Sequence, residues 1–168
     1  GLTRPALKAE IRYRALGQGP ATVRLTATPA NFSGKRYQAD FPVTLESGAH
    51  SVQLTLPMPK AKLWWPVGTG KPHLYTIRVA LRDENGLMDT AVTRTGLRKI
   101  VEQPDNKGWL INDKRLFIKG SNYIGSPWLG TMTRNKYRQD FALVEKMNAN
   151  AIRVHGHVAG RALYEVAD

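Results

Sequence analysis

The sequence predicts a mainly β protein, an antiparallel β-sandwich over residues 1–102 followed by a short β/α segment over residues 103–168. Three observations carry this. Before residue 100 the chain alternates apolar and polar residues in short runs, the pattern of strands with one wet face. Turn-forming residues separate the runs roughly every 8–12 positions, as in a sandwich. After residue 130 a helical period sets in, and strand-like and helix-like stretches take turns.

Residues 8–16 (KAEIRYRAL) place Ile11, Tyr13 and Ala15 on one side and Arg12 and Arg14 on the other. Gly17-Gln18-Gly19-Pro20 breaks the run, since Gly accepts positive φ and Pro fixes its own. Residues 21–28 continue with Val23, Leu25 and Ala27 inward. Further strands are expected at 37–45, 51–56, 74–82 and 89–100, with turns at Ser33-Gly34, Ser47-Gly48 and Glu84-Asn85-Gly86. Asn85-Gly86 is the strongest hairpin signal of the chain, because both residue types tolerate positive φ.

Residues 62–75 (KLWWPVGTGKPHLY) interrupt the alternation. Their glycines and prolines forbid a long strand, so this is a loop anchored by Trp64 and Trp65. The pair suits either a stacking platform for a pyranose or a plug at the end of the sandwich. The second use agrees better with the way tryptophan buries area.

Downstream, residues 105–116 (DNKGWLINDKRL) read as a hairpin turning at Asn112-Asp113, and residues 116–119 (LFIK) as a short strand ended by Gly120. Residues 121–132 form a loop. Thr133 then N-caps a helix whose apolar face carries Tyr137, Phe141, Val144 and Met147. Asn148-Ala149-Asn150 ends it, residues 151–154 (AIRV) are a second strand, and residues 161–166 open a second helix. Where such units build a (β/α)8 barrel, the loops after the strands carry the chemistry, which here means residues 121–133 and 155–160.

Composition bounds the function. With 42% hydrophobic residues in a 168-residue chain there is material for a packed core. No apolar run reaches the ~20 residues of a membrane helix, and GLTRPALKAE has no apolar segment of a secretory signal. The absence of cysteine excludes disulfides and thiolate chemistry. The net charge of +12 favours polyanions, but the basic residues stand singly along the strands, as on a solvated sheet face. No nucleic-acid reader motif is present, so nucleic acid is not expected as a partner, nor is a membrane.

Four motifs in order, LWWPVGTGKPHLYTIRVAL, GLRKI, LFIKGSN and NANAIRV, resemble glycoside hydrolase family 2, most closely its β-mannosidase and exo-β-glucosaminidase type members. The resemblance runs from about Lys62 to Asp168. It implies that the sandwich is immunoglobulin-like and that residues 103–168 are a hairpin and the first two βα units of a truncated TIM barrel. It further implies hydrolysis of β-glycosidic bonds, with a β-mannoside or β-glucosaminide favoured, and a carbohydrate partner for the full-length protein. Neighbouring domains of the same chain are implied as well. A bacterial periplasmic or secreted location is compatible with it. No cofactor is implied.

Retaining glycoside hydrolysis uses two carboxyl groups, and the family's acid/base is a Glu that follows Asn. None of Glu10, Glu46, Glu84, Glu102, Glu145 and Glu165 follows an Asn, so this stretch is expected to lack both catalytic glutamates and to be inactive alone. The resemblance assigns substrate binding to Asn122, after the first barrel strand, and to Arg153, at the second. Asn122 also suits a turn former that caps local backbone, whereas Arg153 in an apolar strand calls for a partner. His155 and His157 flank Gly156 in the next loop and could bond a sugar. Without Cys or a third ligand nearby they do not make a metal site. The sequence His155-Gly156-His157 matches neither the Trp-Gly-Gly usual in β-mannosidases after Arg-Val nor the Ser-His of galactosidases and glucuronidases, and Tyr123 after Asn122 departs from the galactosidase pattern. A non-catalytic carbohydrate-binding or adhesion module, stacking sugars on Trp64, Trp65 and Trp128, is the competing reading.

Overall fold

A computed structural model describes residues 5–104 and 108–168. It divides into two compact units. The first holds the chain up to Trp64 together with His73–Arg98; the second holds Trp65–Pro72 and Lys99–Asp168.

The first unit is an antiparallel β-sandwich. One sheet pairs β1 (Ala6–Ala15) with β4 (Gly48–Pro57); the other has the order β3-β2-β5-β6, with β2 (Gly19–Pro29) and β5 (Tyr75–Asp83) central. β3 (Tyr37–Leu45) and β6 (Gly86–Thr95) form its edges. The alternation in the sequence is what fills the space between the sheets. Val23, Leu25 and Ala27 from β2, Leu56 from β4 and Ile77 from β5 are buried together with Tyr37, Met58 and Tyr75. Leu7, Ala9 and Ile11 pack on them from β1.

The strands expected from alternation all form, with shifts at two places. The hairpin between β5 and β6 turns on Glu84-Asn85, and Gly86, at φ +123°, already pairs with Asp83. The Asp83 carboxylate accepts a hydrogen bond from the Asn85 N–H at 2.8 Å, which starts the turn one residue earlier than Asn85-Gly86 would. β6 ends at Thr95, not at Ile100. A side chain at Gly96 would meet the Trp64 ring, so the backbone passes there without one, and Ile100 opens a new strand.

The second unit begins with a meander of β7 (Ile100–Glu102), β8 (Trp109–Ile111) and β9 (Lys114–Leu116). Asn112 and Asp113 take φ +52° and +64°, the two positive values a type I′ turn requires, and residues of these types reach them most readily. The start of the expected hairpin, residues 105–107, lies outside the described residues. The buried Asn112 side chain accepts from the Lys99 N–H at 2.9 Å while its own N–H donates to the Lys99 carbonyl at 2.8 Å.

Residues 116–119 do not form the expected strand. Leu116 completes β9, and the next strand, β10, is Gly120–Tyr123, inside the stretch expected to be loop. The reason is Asn150. Its amide donates to the Phe117 carbonyl and accepts from the Lys119 N–H, both at 2.9 Å, so side-chain bonds hold this segment in place of a ladder. β10 pairs in parallel with β11 (Ala151–Val154) across the helix α1 (Arg134–Lys146); α2 (Arg161–Ala167) follows. Thr133 caps α1 through the Lys136 N–H, as expected. Tyr137, Ala159 and Leu163 form a small core with Tyr123, Phe141 and Val154 against it.

Candidate functional site

Parallel strands end side by side, so residues at their carboxyl ends gather on one rim. Here the register pairs Gly120 with Ala151, Ser121 with Ile152, Asn122 with Arg153 and Tyr123 with Val154. Gly120 is required for this pairing, because a Cβ there would strike the Ala151 carbonyl oxygen.

The register therefore places Asn122 beside Arg153. The guanidinium donates to the Asn122 side-chain oxygen at 3.5 Å, the outer limit of a hydrogen bond. Both side chains are exposed, so the partner that a buried Arg153 would have needed is not demanded by burial in this chain. A guanidinium retains four further N–H groups in a planar fork, suited to hydroxyls or a carboxylate.

The chain continues past the rim along a fixed path. The His155 N–H donates to the Tyr123 carbonyl at 3.1 Å, extending the parallel ladder by one bond. Gly156, at φ +81°, then turns the chain. The His157 Nδ1 lies 3.2 Å from the His155 carbonyl, which a ring N–H there would bond. His155 is exposed and His157 half-buried, so the two histidines share one loop in different surroundings. Among the described residues no three His, Asp or Glu side chains could together hold a metal ion.

One feature of this site escaped the sequence. The Tyr123 hydroxyl donates to Asp140 at 2.6 Å, and the Lys136 ammonium holds the other carboxylate oxygen at 2.7 Å. The trio fixes the end of β10 to α1 and so sets where Asn122 stands. Burial pushes the Tyr123 hydroxyl well above its ordinary pKa, and the adjacent Asp140 charge pushes the same way. For Asp140, burial acts upward but is outweighed by the bonds from Lys136 and Tyr123, leaving its carboxyl below the usual range. The spacing of Lys136 and Asp140, one helical turn apart, was the only sequence signal of this trio.

Glu145 lies on α1, and Glu165 on α2 bonds Arg161 at 2.6 Å and also Arg134. The hydrogen bonds from Arg134 and Arg161 hold the Glu165 carboxyl below its ordinary pKa, the opposite of what a general acid needs.

Trp64 and Trp65 are both half-buried. The Arg98 guanidinium lies over the Trp64 ring at 4.6 Å within the first unit, and the Lys114 ammonium over the Trp65 ring at 5.1 Å within the second. Gly96 and Gly70 pass so close to these rings that neither could carry a Cβ unshifted. Both tryptophans thus pack as structural anchors, whereas Trp128, in the loop after β10, is 77% exposed.

An antiparallel sandwich leading into a βαβα segment is the architecture the four motifs pointed to. The chain belongs to glycosyl hydrolases family 2, whose family model matches residues 4–98. It is 33% identical over 113 residues to a mannosylglycoprotein endo-β-mannosidase of Lilium longiflorum, covering 62% of this chain and 12% of that protein. It is 28% identical over 120 residues to an exo-β-D-glucosaminidase of Hypocrea virens, covering 70% of this chain and 13% of that one. A Bacteroides uniformis β-glucuronidase shares the fold over 97% of this chain and 20% of its own, with TM-score 0.72 and 24% identity. The chain thus spans about an eighth of the length of the curated relatives it matches.

Proposed function

We propose that the chain is a segment of a retaining glycoside hydrolase that cleaves β-linked mannosides or glucosaminides. In this reading residues 1–102 are the immunoglobulin-like domain, residues 103–168 are a hairpin and the first two βα units of a (β/α)8 barrel, and the segment alone does not hydrolyse. The observation that carries the reading is the juxtaposition of Asn122 and Arg153 on adjacent parallel strands. In a closed barrel those strand ends face the catalytic mouth. There the guanidinium and amide would donate to sugar hydroxyls, and His155 and His157, one loop further on, would bond the same ring. The missing partners of the reaction are two carboxylates, supplied by later strands of the whole protein. In this reading the sandwich is a supporting domain of the hydrolase and takes no part in the chemistry.

The test has two arms. Residues 1–168 are assayed with aryl β-mannoside, β-glucosaminide and β-glucuronide, and turnover above a boiled control would overturn the claim of an inactive segment. In the encoded protein extended beyond Asp168, Asn122→Ala and Arg153→Ala are expected to lower kcat/KM at least a hundredfold, about 2.7 kcal/mol of transition-state binding. Wild-type rates in both variants would remove these residues from the sugar site. The exposure of Trp128 favours a second reading, a non-catalytic carbohydrate-binding module, since stacking needs an open ring face. Quenching of Trp fluorescence by neutral manno-oligosaccharide, lost in Trp128→Ala, would support it.

A further inference from the structure

The first unit holds a cleft of about 410 Å³ at one end of the sandwich. Lys35, Lys60 and Lys62 are its exposed rim; Phe32, Tyr37 and Pro59 are its floor. We propose that this cleft binds the sulfate or carboxylate groups of an acidic polysaccharide. The choice of a carbohydrate rests on the glycoside hydrolase reading above.

Charge is the first argument. Three ammonium groups from two loops meet at one concavity, and no carboxylate is among its lining residues. Several cations elsewhere in the protein are neutralised, Arg24 by Asp40, Lys99 by Asp113, Lys136 by Asp140 and Arg161 by Glu165. Here two of the three lysines rest on rings, and the Lys62 ammonium also donates to the Ser33 carbonyl at 3.5 Å. Lys35 Nζ lies 5.6 Å from the centre of the Tyr37 ring and Lys62 Nζ 5.2 Å from that of Phe32. A ring face orients an ammonium without cancelling its charge. The protein as a whole, at +12, adds to the attraction for an anion.

Rigidity is the second. The Tyr37 hydroxyl donates to the Pro59 carbonyl at 2.8 Å, and the Lys62 N–H donates to the Tyr75 hydroxyl at 3.0 Å. Two buried tyrosines of the core thus hold the loop that carries Lys60 and Lys62. Lys60 itself sits at φ +62°, a conformation few lysines adopt unless their surroundings impose it. Gly34 completes the frame, because a side chain there would collide with the Phe32 ring that forms the floor. Cations held before the ligand arrives bind it without the ordering cost of free side chains.

The floor decides the ligand class. Tyr37 and Tyr75 are only 6% and 1% exposed, so they offer no open ring for stacking a nucleic-acid base. With neither tyrosine ring open for stacking, the ligand is held by acidic substituents on the lysine rim, which suits the sulfate or carboxylate groups of a saccharide. The volume lies within the ordinary range of ligand sites.

The test measures binding of residues 1–168 to a sulfated heparin-type hexasaccharide, an oligouronate hexamer, neutral mannohexaose and single-stranded dT12 in about 150 mM salt. Either acidic hexasaccharide is expected to bind at least tenfold more tightly than mannohexaose, and comparison of the two identifies sulfate or carboxylate as the preferred group. Lys35→Gln/Lys60→Gln/Lys62→Gln should weaken that binding at least tenfold. The control Lys8→Gln/Arg14→Gln/Arg78→Gln, with the same change of net charge, should stay within threefold of wild type. A thermal melt of each variant confirms that the sandwich is intact. Equal losses in both triple variants would show diffuse charge attraction and overturn the proposal. So would failure of both acidic hexasaccharides to bind at millimolar concentration, or an equal, lysine-dependent affinity for dT12. Hydrolysis of neutral aryl glycosides by the extended protein is unaffected by these variants, so the hydrolase reading stands or falls in a separate assay.

Discussion

Asn112 gives the sharpest handle on the second unit, because two separable costs meet at one residue. Its side-chain oxygen accepts the Lys99 N–H at 2.9 Å, and its backbone sits at φ +52°. Asn112→Ala removes the acceptor and leaves the Lys99 donor unmet, a cost of about 1–2 kcal/mol at this partly buried position. It also asks a Cβ-bearing residue without a local hydrogen bond to hold the left-handed conformation, about 1 kcal/mol more. Asn112→Gly incurs the first cost but not the second. Asn112→Asp keeps an acceptor and stands near the Lys99 ammonium, so it should fall within about 0.5 kcal/mol of wild type. Amide exchange read by NMR at Lys99 and Asn112 resolves the three. The total of 2–3 kcal/mol for Asn112→Ala corresponds to exchange faster by roughly 30–150-fold, with Asn112→Gly about fivefold slower than Asn112→Ala. Equal protection in the Ala and Gly variants would refute the backbone argument; near-wild-type protection in Ala would refute both.

Other substitutions test other links. Leu25→Ala empties the centre of a fully buried cluster and should cost the sandwich about 2–5 kcal/mol in urea unfolding; a loss below 1 kcal/mol would mean the two sheets collapse onto the void. Gly120→Ala drives a methyl into the Ala151 carbonyl and should abolish exchange protection across Ser121–Tyr123 while leaving β2 and β5 unchanged. For pH, Asp140 has a folded pKa below its unfolded value of 3.8, so its contribution is present above about pH 4 and fades as pH falls through the folded value. Tyr123, raised above its ordinary 10.0, stabilises below pH 10 and loses that contribution as pH rises through its folded value. Asp140→Asn should flatten the acid limb seen by helix circular dichroism, and an unchanged limb would exclude Asp140 as its cause. Among the described residues, 120–168 bury only Tyr137, Ala159 and Leu163, against eight residues in the sandwich core, so they should exchange faster than β2 and β5; equal protection in a monomer would contradict this.

What the sequence showed of the fold follows from which forces are local. Alternation places Val23, Leu25 and Ala27 on one face whatever the rest of the chain does, and all three are buried. The Asn112-Asp113 turn and the Thr133 cap were legible for the same reason, since each depends on residues within four positions. The shifts came where a distant group decided. LFIK has the composition of a strand, but Asn150, 31 residues after Lys119, takes its backbone bonds and moves the strand to Gly120. Likewise β6 stops at Gly96 because of Trp64, and no window around Gly96 contains that indole.

The site divides along the same line. Asn122 and Arg153 could be named from short motifs, but their pairing is a property of register, and register in a parallel pair is set by a helix and two turns between the strands. The Tyr123–Asp140–Lys136 trio shows how that register is held. Tyr123 and Asp140 are 17 residues apart, and only folding reveals that the hydroxyl following Asn122 in sequence anchors it to α1. The lysine cleft was illegible for a further reason. Lys35, Lys60 and Lys62 look like three ordinary solvated charges, and scattered charge on a sheet is usually that. What sets them apart is that they line one cleft without a carboxylate, together with the tyrosine hydroxyls that hold the loop of Lys60 and Lys62, and both are facts about neighbours in space. A chain can therefore declare its family through local motifs while keeping its ligand preferences in contacts that only the folded surface assembles.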